Sequence, residues 1–189
     1  MKNFKIPKNL IKKFFNALGY DIIRANNNPA RTLLGLRNLP IKTIIDIGAN
    51  EGQFARYICK IFPDAYIYCF EPLPEPFEKL RRWVEKERKS KASIFNFALG
   101  DKEGTFKMFL HYEHTPSSSF LKTTEICEKY YPFTKSQTTI SVKMTKLDNW
   151  IKSVSNLELE ILVKLDVQGY EDRVIRGGKE VFKKLKHAF

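Results

Sequence analysis

The sequence has no long hydrophobic run, no cysteine framework and almost no acid in its first forty residues. No apolar stretch approaches the ~20 residues that span a bilayer. The opening "MKNFKIPKNLIKKFFNALGY" lacks the uninterrupted apolar core and small-residue cleavage site of a signal peptide. A cytoplasmic protein is the expectation. Cys59, Cys69 and Cys127 are odd in number and without metal-ligand spacing, which fits a reducing compartment. Each reads as a small buried or half-buried hydrophobe. Within residues 1–40, Lys2, Lys5, Lys8, Lys12, Lys13, Arg24, Arg31 and Arg37 face Asp21 alone, so this stretch holds +7 of the net charge of +12. Such a segment suits an anionic partner: a membrane surface, an acidic glycan or nucleic acid. The competing reading is a solvated basic helix that packs Phe4, Ile11, Phe14, Phe15 and Leu18 on the body.

What is present is a globular composition. The 189 residues are 43% apolar and 13% aromatic, enough for one domain with a sizeable core. Residues 7–18 have amphipathic helical spacing, and "NNNPAR" at 26–31 breaks it, so 1–38 reads as a basic helical extension and 39–189 as the main domain. From Ile41 a regular alternation sets in. "IKTIIDIG" is a β-branched apolar run of the kind buried on both faces of a sheet. "EGQFARYICKIF" follows with Phe54, Ile58 and Ile61 at helical spacing. "AYIYCFEP" is the next strand, "PEPFEKLRRWVEKER" a helix with proline near its start, and "KASIFNFALGD" a third strand. Strands joined by helices of this length form right-handed βαβ units and hence a doubly wound, mostly parallel α/β sheet.

Residues 104–146 depart from that pattern. "TFKMFLHYEH" and "QTTISVKMTKL" alternate like strands of an antiparallel insertion, with the serine-rich loop "TPSSSF" and a helix around 121–130 between them. "LDNWIKSV" reads as a helix N-capped by Asp148. "LEILVKLDVQG" is a fourth buried strand, and "YEDRVIRGGKEVFKKLK" the helix after it.

The glycine turn "IIDIGANEGQF" (44–54) asks what approaches its backbone. A phosphate-cradling GxxxxGK[ST] loop is absent. The dinucleotide fingerprint GxGxxG fails at Asn50 and Gln53, and Glu51 would set a carboxylate where pyrophosphate belongs. What remains is Asp46-x-Gly48-x-Asn50-x-Gly52. Glu71, 19 residues beyond Gly52 at the end of the second strand, stands where this fold offers an acid to a ribose diol. Pro72 stiffens the turn. An adenosine ligand without phosphate fits, and S-adenosylmethionine has an amino acid and a cationic sulfonium that tolerate the nearby acids.

"DIGANEGQF", "FEP", "NFALGD", "SSS", "LDNW" and "VKLDVQGYEDRVIRGG", in this order from about Ile41 to Gly178, resemble the FkbM-type S-adenosylmethionine-dependent methyltransferases. The resemblance implies a Rossmann-like fold and O-methylation of hydroxyl groups, usually of sugars, in glycans, glycolipids or natural products. Carried over by motif, Asp46, Gly48, Ala49, Asn50 and Gly52 would line the methionine end of the cofactor, Glu71 with Pro72 the ribose, and Ala98 and Leu99, ending the third strand, the adenine. Ser117, Ser118 and Ser119 match a family motif that would meet the acceptor.

Methyl transfer needs an oxygen aligned behind the methyl group and a group that takes its proton. Asp166, at the end of the fourth strand, is the first candidate; its alternative is to hold the "VQGYE" turn. Glu171 is the second, or else it favours a helix dipole. Lys164 shares a strand face with Asp166 and could keep it ionised. His111 and His114 could supply a base, although exposed loop histidines are more often inert. A third metal ligand beside Asp166 and Glu171 is not evident, so no metal is assigned. Tyr112, Tyr130, Tyr131 and Phe133 could stack on a sugar, with core packing the expected use. Amino-methylating enzymes of nucleic acids carry a [DN]PP[FYW]-type stretch where this chain has "DVQG", so no nucleic-acid partner is expected. The family resemblance also implies a fifth strand and a closing hairpin beyond "KKLKHAF". Their lack would leave the fourth strand as an open edge, which suits a fragment, a homodimer or an inactive cofactor-binding remnant. The basic N-terminus could rest on a membrane near lipid-linked glycans.

Overall fold

A computed structural model describes residues 13, 15–19, 36–155, 157–183, 185 and 187–188. The chain forms two compact units, Met1–Leu39 and Pro40–Phe189. In the first, the amphipathic helix expected over 7–18 and the turn at 26–31 lie mostly or wholly outside the described residues, as do Phe4, Ile11 and Phe14. Of this unit, Leu36–Asn38 forms a single 3-10 turn with Leu36 buried.

The second unit is built on one parallel sheet. Strands β1 (Thr43–Ile47), β2 (Tyr66–Phe70), β3 (Ala92–Phe95), β7 (Ile161–Leu165) and β8 (His187–Ala188) are ordered β3-β2-β1-β7-β8. All four pairings are parallel. Every residue of β1 is buried, as its β-branched run, interrupted by Asp46 alone, suits a central strand. Helix α1 (Gln53–Ile61) links β1 to β2, and α2 (Pro74–Trp83), prolonged by a π-helical turn at Val84–Arg88, links β2 to β3. On one face Ile45, Ile47, Tyr68, Phe70 and Val163 join Leu147, Trp150, Val174 and Val181 in a single core cluster. Those last four come from α4 (Leu147–Trp150), α5 (Glu171–Gly177) and α6 (Lys179–Phe182). The strand order reverses between β1 and β7, and in such sheets the crevice beyond the strand ends at that point receives ligands.

The insertion forms a second sheet of β4 (Ala98–Leu99), β6 (Thr138–Thr145) and β5 (Gly104–Leu110). Strands β5 and β6 pair antiparallel from Gly104↔Met144 to Leu110↔Thr138. Helix α3 (Glu125–Tyr130) lies between them in sequence and is N-capped by Thr124, whose hydroxyl accepts from the Cys127 N–H.

Four expectations need correction. The third strand is two strands in two sheets: β3 stops at Phe95, and Ala98–Leu99 pairs with β6. The break falls at Asn96, whose side-chain amide donates to the carbonyls of Glu71 (2.9 Å) and Pro72 (3.2 Å) and so turns the chain over the end of β2. Asp148 does not cap its own helix. Its carboxylate accepts from the N–H groups of Glu180 and Val181 and caps α6. The final helix is two helices, broken at Gly178, whose backbone leaves the helical region (φ −122°, ψ 24°); just before it, Gly177 packs so closely against Gly100 that a Cβ would overlap the Gly100 carbonyl. Strand β7 is not an open edge throughout, since β8 pairs with Leu162 and Val163. Among the described residues no helix is long and apolar enough to cross a membrane.

Candidate functional site

Register places the site. Ile47 stands beside Phe70 and Leu165 in neighbouring strands, so the residues that follow, Gly48, Glu71 and Asp166, leave the sheet side by side at its carboxyl end. Gly48 sits at φ +79°, and a Cβ there would overlap the backbone carbonyl of Asp166. Glycine is thus required for β1 to turn against β7. Gly52, at φ +87°, opens α1 with Leu80 Cδ1 only 2.8 Å from where a Cβ would stand.

Asn50 ties the turn together from its own left-handed backbone (φ 49°). Its side-chain oxygen accepts from the Glu51 N–H (2.9 Å) and from Gln53 Nε2 (3.2 Å). Its Nδ2 donates to Thr115 Oγ1 of the serine-rich loop, 3.3 Å away. The Asn50 N–H donates to Glu71 Oε2, and the Leu73 N–H to Glu71 Oε1, both at 2.8 Å. Glu71 is almost wholly buried. That burial pushes its carboxyl up to about 7, against the pull of the two N–H donors.

Below the turn, Asp46 is fully buried and burial raises its pKa, with the Lys164 ammonium opposing. Lys164 Nζ lies 3.0 Å from Asp46 Oδ1, off the axis of a directed hydrogen bond. The ammonium donates instead to the Gly48 carbonyl (2.8 Å) and stands 3.5 Å from Asp166 Oδ2. One cation therefore braces both acids and the glycine turn. Asp166 is half open to solvent, and Gln168 Nε2 donates to its Oδ1 at 2.7 Å.

A pocket opens over these groups. Of the residues expected at a cofactor or acceptor, Gly48, Asn50, Glu71, Pro72, Ala98, Leu99, Asp166 and Ser118 line it. Asp46, Ala49, Gly52 and Glu171 are not in its lining. Glu171 instead accepts the Val167 N–H at 3.0 Å and holds the turn after β7. Ala98 and Leu99 reach the pocket from the second sheet. His111 corrects the exposed-loop expectation: it is buried, both ring nitrogens without a hydrogen-bond partner, while its N–H donates to Ser118 Oγ. His114 is exposed and pairs through Nδ1 with Ser117 Oγ at 2.8 Å. Tyr112, Tyr130 and Tyr131 are exposed rather than in the core.

Residues without a sequence signal complete the pocket: Leu73, Met108, Thr115, Phe120, Gln168 and Tyr170. Gln168 and Gly169 both stand at positive φ in the turn after β7. The lining combines apolar walls with the carboxylates of Glu71 and Asp166 and, among the described residues, includes no lysine or arginine side chain. That donor set is unfit for pyrophosphate and suits an adenosine ligand carrying a cation.

The model of the methyltransferase FkbM domain matches residues 46–187. The chain belongs to the FkbM methyltransferase family. The lining just described, with its two carboxylates, is in keeping with a methyltransferase domain that takes an adenosine-bearing cofactor. The 2-O-methyltransferase NoeI of Sinorhizobium fredii (strain NBRC 101917 / NGR234) is 29% identical over 166 residues, 84% of this chain and 66% of NoeI. Methyltransferase 1 of Beauveria bassiana (strain ARSEF 2860) is 30% identical over 143 residues, covering 71% and 57%. The 31-O-demethyl-FK506 methyltransferase FkbM of Streptomyces tacrolimicus is 29% identical over 86 residues, covering 46% and 33%. This FkbM-family chain thus spans under two thirds of the length of each of these three relatives. Among solved structures, a precorrin-6y C5,15-methyltransferase from Geobacter metallireducens GS-15 is 13% identical, covers 87% of this chain and 58% of that one, and has a TM-score of 0.43.

Proposed function

We propose that this chain transfers a methyl group from S-adenosylmethionine to a hydroxyl of a sugar ring in a glycan, glycolipid or natural product. The observation that carries the reading is the meeting of Gly48, buried Glu71 and Asp166 at one end of β1, β2 and β7, in a pocket that no lysine or arginine lines among the described residues. Transfer to oxygen is supported by relatives named as O-methyltransferases, and the sugar class is what the family resemblance of the sequence implies.

Glu71 would hold the ribose hydroxyls through the lone pairs its two N–H donors leave free. Phe70, Ala98, Leu99 and Met108 would bracket the adenine. Gly48 and Asn50 would face the methionine end, with Ala49, Gly52 and Pro72 fixing the turns and Asp46 acting through Lys164. When bound, the cofactor supplies a methyl group activated by its sulfonium. Asp166 accepts the proton of the acceptor hydroxyl. Lys164 and Gln168 hold that carboxylate in place. Glu171 keeps the turn in register. The basic N-terminal segment would rest on an anionic membrane surface, where lipid-linked glycans are found.

The test is transfer of label from methyl-labelled S-adenosylmethionine to simple methyl glycosides, with mass spectrometry locating the new methyl. We expect an O-methyl product, and a loss of about a hundredfold or more in rate for Asp166→Asn. Label on nitrogen or carbon, or an undiminished rate in Asp166→Asn, would overturn the reading.

A further inference from the structure

Beside the cofactor pocket runs a second cavity of about 550 Å³, lined by His114, Ser117, Ser119, Lys122, Tyr131, Phe133 and Gln168 among others. We propose that this groove is the acceptor subsite and that it takes a neutral or anionic pyranose ring. The proposal rests on the methyl-transfer reading above and names where its acceptor is held.

Three observations carry it. The groove shares a wall with the cofactor pocket: Gln168 lines both, and the serine-rich segment contributes Thr115, Pro116 and Ser118 to one and His114, Ser117 and Ser119 to the other. Ser119 Oγ donates to the Gln168 carbonyl at 2.8 Å, which fixes the partition. Next, the groove offers rings in a cluster. His114 and Phe133 have centroids 5.1 Å apart, and Tyr131 meets Phe133 edge-on at 5.9 Å. Tyr131 is 56% exposed, so its ring is open to a ligand seated in the groove. Finally, the rest of the lining is mainly hydroxyl and amide, from Ser117, Ser119, Thr123, Thr124, Thr134 and Gln168, with Leu121, Cys127 and Lys122 and, among the described residues, no carboxylate. Such a site hydrogen-bonds a polyol and offers no counter-ion to a cationic acceptor. A pyranose has both requirements, an apolar face of C–H groups for the rings and a rim of hydroxyls for the polar lining.

Gln168 gives the groove its link to chemistry. Its backbone is held at φ 53°, strained for a residue with a side chain, while its amide donates to Asp166. A ring seated against Gln168 therefore lies next to the carboxylate that takes the hydroxyl proton. Gln168 is a positioning residue in this account.

The experiment is an NMR titration of the full chain, saturated with S-adenosylhomocysteine, with methyl β-D-glucopyranoside and methyl β-D-glucuronide. The aromatic resonances of Tyr131 and Phe133 are followed. The expected result is saturable shifts at both rings, and a glycoside affinity about fivefold to tenfold lower in Tyr131→Ala and in Phe133→Leu. Affinity for S-adenosylhomocysteine, measured separately by calorimetry, should be the same in all three proteins. Because Tyr131 is exposed, its loss should leave the fold intact. Cofactor binding without shifts at either ring overturns the groove alone, as does equal glycoside affinity in the variants. Preferential seating of spermidine in the groove overturns the ligand class. Failure of the wild-type chain to bind S-adenosylhomocysteine overturns both this proposal and the methyl-transfer reading.

Discussion

A carboxyl group held near neutrality inside the pocket makes Glu71 the most pH-sensitive group of the site. Without cofactor, native Glu71 retains a proton up to about 7 that the unfolded chain releases near 4.5. Its stabilising contribution is therefore present at acid pH and lost as pH rises through 7. Cofactor binding has the opposite sign, because two ribose hydroxyls are best accepted by the ionised form. Affinity for S-adenosylmethionine should rise about tenfold between pH 6 and pH 8, measured by calorimetry, and Glu71→Gln should flatten the curve. Lys164 is the other residue on which much depends. Lys164→Met strands Asp46 as a buried uncompensated acid and should cost about 3–5 kcal/mol in urea unfolding, while Asp46→Leu/Lys164→Met should recover much of it. The glycines and Glu71 were legible in the sequence because spacing alone specifies them. Lys164 was legible in part, by its period-two relation to Asp166. Its bonds to Asp46 and Gly48 were not, because they cross from β7 to β1. Gln168 and Thr115 were invisible for the same reason: their roles come from loops brought together only by the folded chain.

Among the elements, the buried strands and the first two helices followed from the period of their apolar residues. What the pattern could not convey is where a side chain ends an element by bonding elsewhere. Asn96 does this for β3, and Asp148 does it for α6 rather than for its own helix. Asp148→Ala should lower stability by about 1 kcal/mol, seen in thermal unfolding, and amide exchange should quicken at Glu180 and Val181. The turn between β1 and α1 is less forgiving. Gly48→Ala adds a Cβ into a backbone carbonyl at positive φ, so soluble, folded protein should not be recovered on expression.

For the whole molecule, charge and fold are separable. Removing residues 1–35 takes out half of the net charge of +12 and keeps Leu36, which is buried. The shortened chain should keep a cooperative thermal unfolding transition and its cofactor affinity while losing sedimentation with anionic vesicles at low salt. The parallel sheet, its switch point and the antiparallel insertion together bring one acid, one glycine turn and one candidate base to a single opening. The most direct test of that arrangement is calorimetric titration of the full chain with S-adenosylmethionine, beside Glu71→Ala, with circular dichroism confirming that both are folded. The account predicts saturable binding by the wild-type chain, weakened by about 2 kcal/mol in the variant. A folded wild-type chain that gives no binding heat at any pH from 6 to 8, or a variant that binds equally well, would contradict it.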